Sequence, residues 1–388
     1  LKFFHTADWH LGKLVQGVYM TEEQRFVLNQ FIEAIDVEKP DAIIIAGDLY
    51  DRAVPPTDAV HLLDEILAEI VLKRNTPVLS IAGNHDSPGR LNFGSKLMKE
   101  TGLHIVGQIE NELKSVVLND EFGEVHFHLI PYADPSQVRY LLGNSTITTH
   151  QDAMEEIVRL IERDLDPAKR HVFVGHAFVT PQGQQEGNTS DSERPLAIGG
   201  VEYVDAALFK SFQYTALGHL HQAHYVLNET IQYAGSPLKY SISEEHHKKG
   251  FYIVNLDQKG NVTLEKKLLT PNRDMRTVEG HLQDILKQPA SEDFVFVKLL
   301  DETPIISPME QVRTVYPNAM HVERKAFQRS TRMEQKEQSS RSKMDDFTLL
   351  QAFYTEVSGE EPCEETKNLF KEVIDGLMMD EREGVTKG

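Results

Sequence analysis

The sequence is short of three things. Cys363 is its one cysteine, so no intrachain disulfide can form and no metal can be held by several thiolates, which fits a reducing compartment. No apolar run approaches the roughly 18 residues that a membrane-spanning helix needs, and the opening stretch LKFFHTADWH lacks the long apolar segment of a secretory signal. Positive charge is also scarce: 40 basic residues stand against 60 acidic ones, a formal net charge of -20. Such a surface repels phosphate backbones at long range, which argues against a protein that binds polyanions over its whole surface. These absences predict a cytoplasmic chain with no membrane partner. Net charge is a global sum, however, and bound divalent cations would reverse its sign locally.

What is present can fold. The 388 residues are 40% apolar, enough to bury a substantial core in one large domain with a smaller one. KFFHTA, DAIIIAGD and TPVLSIAG read as buried strands, each running into a polar tip. Between them, residues 21 to 38 place Phe26, Ile32 and Ile35 at mostly helical spacing, and Thr21 with Gln24 fits a capping box at that helix's start. A second helix, TDAVHLLDEILAEIVLKR, is expected to be capped by Thr57. Strands then dominate in VHFHLIPY, HVFVGHAF, YTALGHLH, IQYAGSP, GFYIVNLD and NVTLEKKLL. The expected class is α/β, with mixed sheets packed against each other and flanked by helices rather than one doubly wound sheet.

The first domain is expected to occupy residues 1–270, ending at TPNRDMR. Residues 271–330 offer a helix candidate in VEGHLQDILKQ and strands in DFVFVKLLD and AMHVERKAF, enough for a small α/β domain. In 331–388 a polar linker precedes two short amphipathic stretches, FTLLQAFYTEV and ETKNLFKEVIDGLM, which have no large core of their own.

Five polar signatures stand at or just beyond strand ends: DWH at 8–10, GDLYD at 47–51, GNHD at 83–86, GH at 175–176 and GHLH at 218–221. Ligands collect at the carboxyl edge of an open α/β sheet, so these five tips are expected to converge. Asp8 and His10 are two apart and leave an extended segment on one face, where they can grip one ion. Asp48 follows four apolar residues and a glycine, a costly place for a carboxylate unless it is paired or bound to metal, and it is the candidate bridge between two ions. Asn84 can offer a carbonyl oxygen, and His176, His219 and His221 imidazole nitrogens. These seven oxygen and nitrogen donors suit two divalent ions, and the lack of thiolates favours manganese or iron, with zinc accepting the same donors. His85 is the candidate proton donor or phosphate-neutralising group, and Asp86 a support for the loop. His126 and His128 lack the glycine-tipped setting and read as structural or surface residues, and His246 and His247 as solvent-facing ones.

The ordered set D-x-H, G-D-x-x-D, G-N-H-D/E, G-H and G-H-x-H resembles the calcineurin-like metallophosphoesterases, whose five elements all occur here within the first 225 residues. HTADWHLGK, GDLYDRAVPP, GNHDSPGRL, ALGHLHQ and YAGSPLKYS narrow the resemblance to the bacterial nuclease subunits that pair with an SbcC-type ATPase. The resemblance implies a mixed β-sandwich with a small capping domain and C-terminal helices that bind the ATPase. It implies one metal on Asp8, His10, Asp48 and His221, a second on Asp48, Asn84, His176 and His219, and a catalytic His85. It also implies manganese-dependent cleavage of double-stranded and hairpin DNA by a homodimer. ATP would bind the partner, because this chain has no G-x-x-x-x-G-K-[S/T] loop. Archaeal and eukaryotic relatives usually carry histidine where this chain has Asp51, so a second acting histidine is not expected. The apolar faces expected to meet the partner are Phe347, Leu350, Phe353 and Tyr354 on one helix, and Leu369, Phe370, Val373 and Leu377 on the other.

Overall fold

The structure, a computed structural model, describes residues 1–113, 115–183, 190–191, 193, 202–324, 346–359, 361–371 and 373. The chain divides into two compact units, Leu1–Arg276 and Thr277–Gly388.

The first unit contains two six-stranded sheets. One is built from β1 (Lys2–Thr6), β2 (Ala42–Ala46), β3 (Val78–Ile81) and β4 (Leu103–Val106); the other begins with β5 (Val116–Asp120), β6 (Gly123–Ile130), β7 (Arg170–His176), β8 (Tyr214–Gly218), β9 (His224–Val226) and β10 (Asn228–Tyr233). The chain then returns to the first sheet with β11 (Gly250–Leu256) and β12 (Val262–Leu268). The strand orders are β12-β11-β1-β2-β3-β4 and β9-β10-β8-β7-β6-β5. Strands β1 to β4 are mutually parallel, as are β6, β7, β8 and β10, and antiparallel strands close the remaining edges.

Strand alternation explains the layers. Successive side chains point to opposite faces, so Phe3, Ile44 and Leu79 meet Phe127, Val172 and Ala216 between the sheets. Phe4, Ile43 and Ile45 turn outward and are covered by α1 (Thr21–Glu38) and α2 (Thr57–Ala68) through Val27, Phe31, Leu62 and Ile66. On the far side, α3 (His150–Arg163) covers Phe173 and Leu217 with Ile157 and Ile161. The parallel strands are covered on both faces, which is why AIIIA reads as an unbroken apolar run.

Local details depart from the expected ones. Met20, not Thr21, is the N-cap of α1, and no side chain caps that end. Gln24 is turned away from the cap into the core, and Phe26 lies on the exposed side. Thr57 is the first residue of α2 with Pro56 at the cap, and the helix continues into a wider turn over Glu69–Lys73. A side-chain capping box does occur at α3, where Thr149 and Asp152 bond each other's backbone N–H.

In the second unit, β13 (Met275–Gly280, which begins in the last two residues of the first unit), β14 (Phe294–Leu299) and β15 (His321–Arg324) form a three-stranded sheet, with β14 and β15 parallel. The stretch read as a helix from Val278 is helical only over Leu282–Ile285, because Val278 to Gly280 join the sheet. Val278, Ile285, Val297, Val312 and Tyr316 make its core. Most of the polar run at 328–346, and Leu377, lie outside the described residues. Both tail stretches are helical, as Asp346–Ser358 and residues 364–371, with the Tyr354 and Phe370 rings 5.7 Å apart.

Candidate metal centre

The five signatures converge. Asp8 and His10 follow β1, Asp48 follows β2, and Asn84, His85 and Asp86 follow β3. His176 ends β7, and His219 and His221 follow β8, so every group stands at the carboxyl end of a parallel strand. Asp8, His10, Asp48 and His219 are held at φ 54°, 45°, 50° and 108°. Non-glycine residues pay on the order of 1–3 kcal/mol each for such conformations, which persist only where the surroundings over-determine them. They do so here: Asp8 N–H donates to Gly47 O at 3.0 Å and His10 N–H to Asp48 O at 2.9 Å. His219 N–H donates to the Asp8 carboxylate at 3.0 Å, and His85 N–H to Asp48 Oδ1 at 2.8 Å. Glycine is required where these loops touch, since a Cβ on Gly218 would lie 1.9 Å from Ala46 O.

The donor atoms face one another. The contact of His176 Nδ1 with Ala46 O at 2.9 Å places the proton on Nδ1. Its Nε2 lone pair then faces Asn84 Oδ1 at 3.0 Å and Asp48 Oδ2 at 3.4 Å. The contact of His221 Nδ1 with Glu244 Oε1 at 3.2 Å directs its Nε2 toward His10 Nε2, 3.0 Å away. Acceptors converging on acceptors inside a protein need a cation between them. Asp8, His10 and His221 form one group whose ligand atoms lie within 4.8 Å of one another, and Asp8, Asp48 and His176 form a second. Asp48 Oδ2 is 3.5 Å from His10 Nε2 and 3.4 Å from His176 Nε2, between the two groups. The His219 ring stands 5.5 Å from that of His176.

Burial sets the electrostatics. Asp8, His10, Asp48, His176, His219 and His221 are all buried. Burial pushes the Asp8 carboxyl up to about 7 and holds His10 and His219 well below the usual imidazole range. Burial opposes charge on Asp48 and His176 as well, but each outweighs it for the other: Asp48 falls well below the carboxylate range and His176 rises to about 9. The protein by itself thus neutralises Asp48 with a proton on His176. Divalent cations suit this donor set and would relieve the same concentration of negative charge.

His85 sits beside these groups. Its Nδ1 contacts the main-chain O of Asp51 at 2.8 Å, its Nε2 is 4.0 Å from Asp48 Oδ2, and its ring meets that of His10 edge-on at 4.6 Å. With His10 and Asp51 it makes a third close group. Asp86 accepts from the N–H groups of Gly83 (2.9 Å), Tyr50 (2.9 Å) and Leu49 (3.1 Å), tying the loop after β3 to the loop after β2. Lys13 Nζ is 2.8 Å from Asp51 Oδ1.

Sequence reasoning missed the groups that hold this frame. Gln24 donates to the carbonyls of Trp9 and His10 and accepts from Gly12 N–H, fixing the first loop from α1. Glu244 and Lys249 form a buried ion pair beneath His221, and Glu193 accepts from His221 N–H at 2.6 Å. Their signal was the charged run SEEHHKKG following YAGSPLKYSI, whose polarity reads as solvent-facing. His246 does face solvent, whereas His247 is half-buried and desolvation lowers it to about 4. His126 and His128 play structural parts: His126 contacts Ser115 and Glu124, and His128 Nε2 contacts His171 Nδ1 at 3.1 Å.

Residues 1–223 match the family described as calcineurin-like phosphoesterase, and residues 271–358 match the type 5 capsule protein repressor C-terminal domain. The chain is 34% identical over 382 residues to the SbcD component of nuclease SbcCD from Staphylococcus saprophyticus, covering 97% of this chain and 99% of that protein. It is 34% identical over 388 residues to the SbcD component of nuclease SbcCD from Staphylococcus epidermidis, covering 99% and 100%.

Proposed function

The chain belongs to the calcineurin-like phosphoesterases and is closely related to SbcD, the smaller-named half of the SbcCD nuclease pair, and from this premise we propose that it is the DNA-cleaving subunit of an SbcCD-type complex. The observation that carries the reading is the convergence of acceptor atoms around Asp48, flanked by His85, in a chain alike to those relatives over nearly its full length. In this reading Asp8, His10, Asp48 and His221 hold one divalent cation, and Asp48, Asn84, His176 and His219 the other, manganese in both. Bound there, the pair supplies Lewis-acid charge and an acidified water for attack on a phosphodiester.

The side chains do the rest. The Asp51 carbonyl fixes the His85 tautomer, so Nε2 is the atom that presents a proton to the leaving alkoxide. Asp86 keeps that imidazole in place by clamping its loop. No covalent nucleophile is needed. The activity proposed is 3' to 5' exonuclease action on double-stranded ends and endonuclease action on hairpins and single strands, in repair, replication and recombination at the nucleoid. With a net charge of -20, DNA is held chiefly by the metal centre, local basic patches and the partner, so binding by the isolated chain is modest and salt-sensitive.

The partner is the SbcC ATPase, met by the C-terminal helices, and the exposure of Phe353, Leu369 and Val373 supports this. Homodimer formation is supported by Phe93 and Leu97, which are 85% and 80% exposed. No described helix is long and apolar enough to cross a membrane.

The test is cleavage of end-labelled linear and hairpin duplexes by metal-stripped protein after manganese addition, with and without the ATPase, beside His85→Ala. Manganese-dependent cutting lost in that variant is expected. Turnover of a small phosphodiester without DNA cleavage, even in the complex, would instead make the chain a phosphodiesterase of small esters.

A further inference from the structure

The imidazoles of the centre are held from behind in two different ways. His176 and His85 contact main-chain carbonyls, Ala46 O and Asp51 O, through Nδ1. His221 Nδ1 instead contacts the Glu244 carboxylate, and Glu244 is itself ion-paired with Lys249. His10 has a parallel arrangement, its Nδ1 3.6 Å from Asp51 Oδ1 and Asp51 in turn 2.8 Å from Lys13 Nζ. Both imidazoles of one half of the centre therefore back onto carboxylates that carry their own lysine.

The Glu244 arrangement is the more enclosed. Glu244 and Lys249 are buried, and Lys249 Nζ also donates to His221 O at 2.9 Å and to Ser236 Oγ at 2.8 Å. The pair thus holds His221 by both its ring and its main chain. A buried ion pair is weak support for stability, because desolvation offsets its attraction. Its geometry here points to another use. A carboxylate behind a ligating histidine fixes the tautomer and makes the free nitrogen a stronger donor, and removing it costs on the order of 10–100-fold in metal affinity.

On the dimetal reading given above, we propose that Glu244, held by Lys249, is the positioning residue of His221, and that it governs one of the two metal positions while leaving the other untouched. The half containing His176 rests on a carbonyl that no side-chain change removes, so the two halves can be weakened separately.

The experiment is a manganese titration of metal-free protein, read by calorimetry and by the electron paramagnetic resonance of bound manganese, for the natural chain, Glu244→Gln and the double variant Glu244→Gln/Lys249→Met. The double variant removes both charges at similar volume, so a folding defect from an unpaired lysine does not obscure the result. The expected result is two ions in the natural chain and, in both variants, one weakened roughly 10–100-fold with the other within about twofold. Two ions bound with unchanged affinities in the double variant, or both weakened alike, would overturn the inference and leave the dimetal reading standing. Fewer than two ions in the natural chain would overturn both.

Discussion

Replacing Gly83 by alanine tests how tightly the loops after β2 and β3 are locked. A Cβ there would lie 2.1 Å from Asp48 Oδ1, 2.5 Å from Asp48 N and 2.6 Å from Asp48 Cγ. None of these atoms is the free end of a flexible side chain. Asp48 Oδ1 accepts from His85 N–H at 2.8 Å, and Asp48 O accepts from His10 N–H at 2.9 Å. Restoring ordinary contact, near 3.5 Å, requires a relative movement of roughly 1 Å or more. Overpacking of this kind costs about 1–3 kcal/mol of stability. A misplacement of that size at a reacting centre costs on the order of 100-fold in rate. The assays are heat unfolding and manganese-dependent hydrolysis of a chromogenic phosphodiester, with Gly89→Ala as the control, because a Cβ there meets only Gln108 Nε2 at 3.7 Å. Gly83→Ala is expected to lose activity far beyond its loss of stability, and the control to keep both. Activity within about threefold of the natural chain would refute the argument that Asp48 cannot yield.

Four further outcomes are expected. Gln24→Leu leaves buried groups of residues 9 to 12 without their partner, which should cost about 2–3 kcal/mol in urea unfolding and weaken manganese binding; unchanged stability would show that water replaces the amide. Arg170→Met removes a buried guanidinium bonded to both Asp120 oxygens at 2.6 and 2.8 Å, and should cost about 3 kcal/mol by denaturant midpoint, since it leaves a carboxylate without its main partner. His5 is buried and desolvation lowers it to about 3. The unfolded chain therefore binds its proton first, and stability is lost as pH falls from about 6.5 toward 3. A chain with His5→Gln should lose less heat stability than the natural one over that window, and parallel profiles would refute the assignment. Chelation should lower the unfolding temperature, because an ion that binds only the folded chain at 100 times its Kd adds about 2.7 kcal/mol; identical melting with and without manganese would count against a loaded centre.

The site was more legible in the sequence than the details around it. Asp8, Asp48, Asn84, His176 and His221 could be found because each follows an apolar run whose burial makes a polar group costly, and the structure brings all five together. The elements that failed did so where local preference competes with tertiary demand. Thr21 and Gln24 fit a capping box, yet the unpaired backbone of the Trp9–Gly12 loop engages the Gln24 amide and leaves that helix end without a side-chain cap. Val278 to Gly280 continue a helical pattern on paper, but they pair in a sheet whose other strands lie downstream.

Alternating apolar strands, five glycine-tipped polar signatures and the lack of thiolates were enough to determine the fold class and the chemistry of the donors, because burial and ligand type are properties of residues and their spacing. Which oxygen lies between the two halves of the centre, which histidine has a carboxylate behind it and which a carbonyl, and that SEEHHKKG supplies a buried ion pair rather than a solvated surface were decided by the tertiary structure alone. Those contacts join residues as much as 211 positions apart, and no local pattern specifies which distant loop a strand end will face.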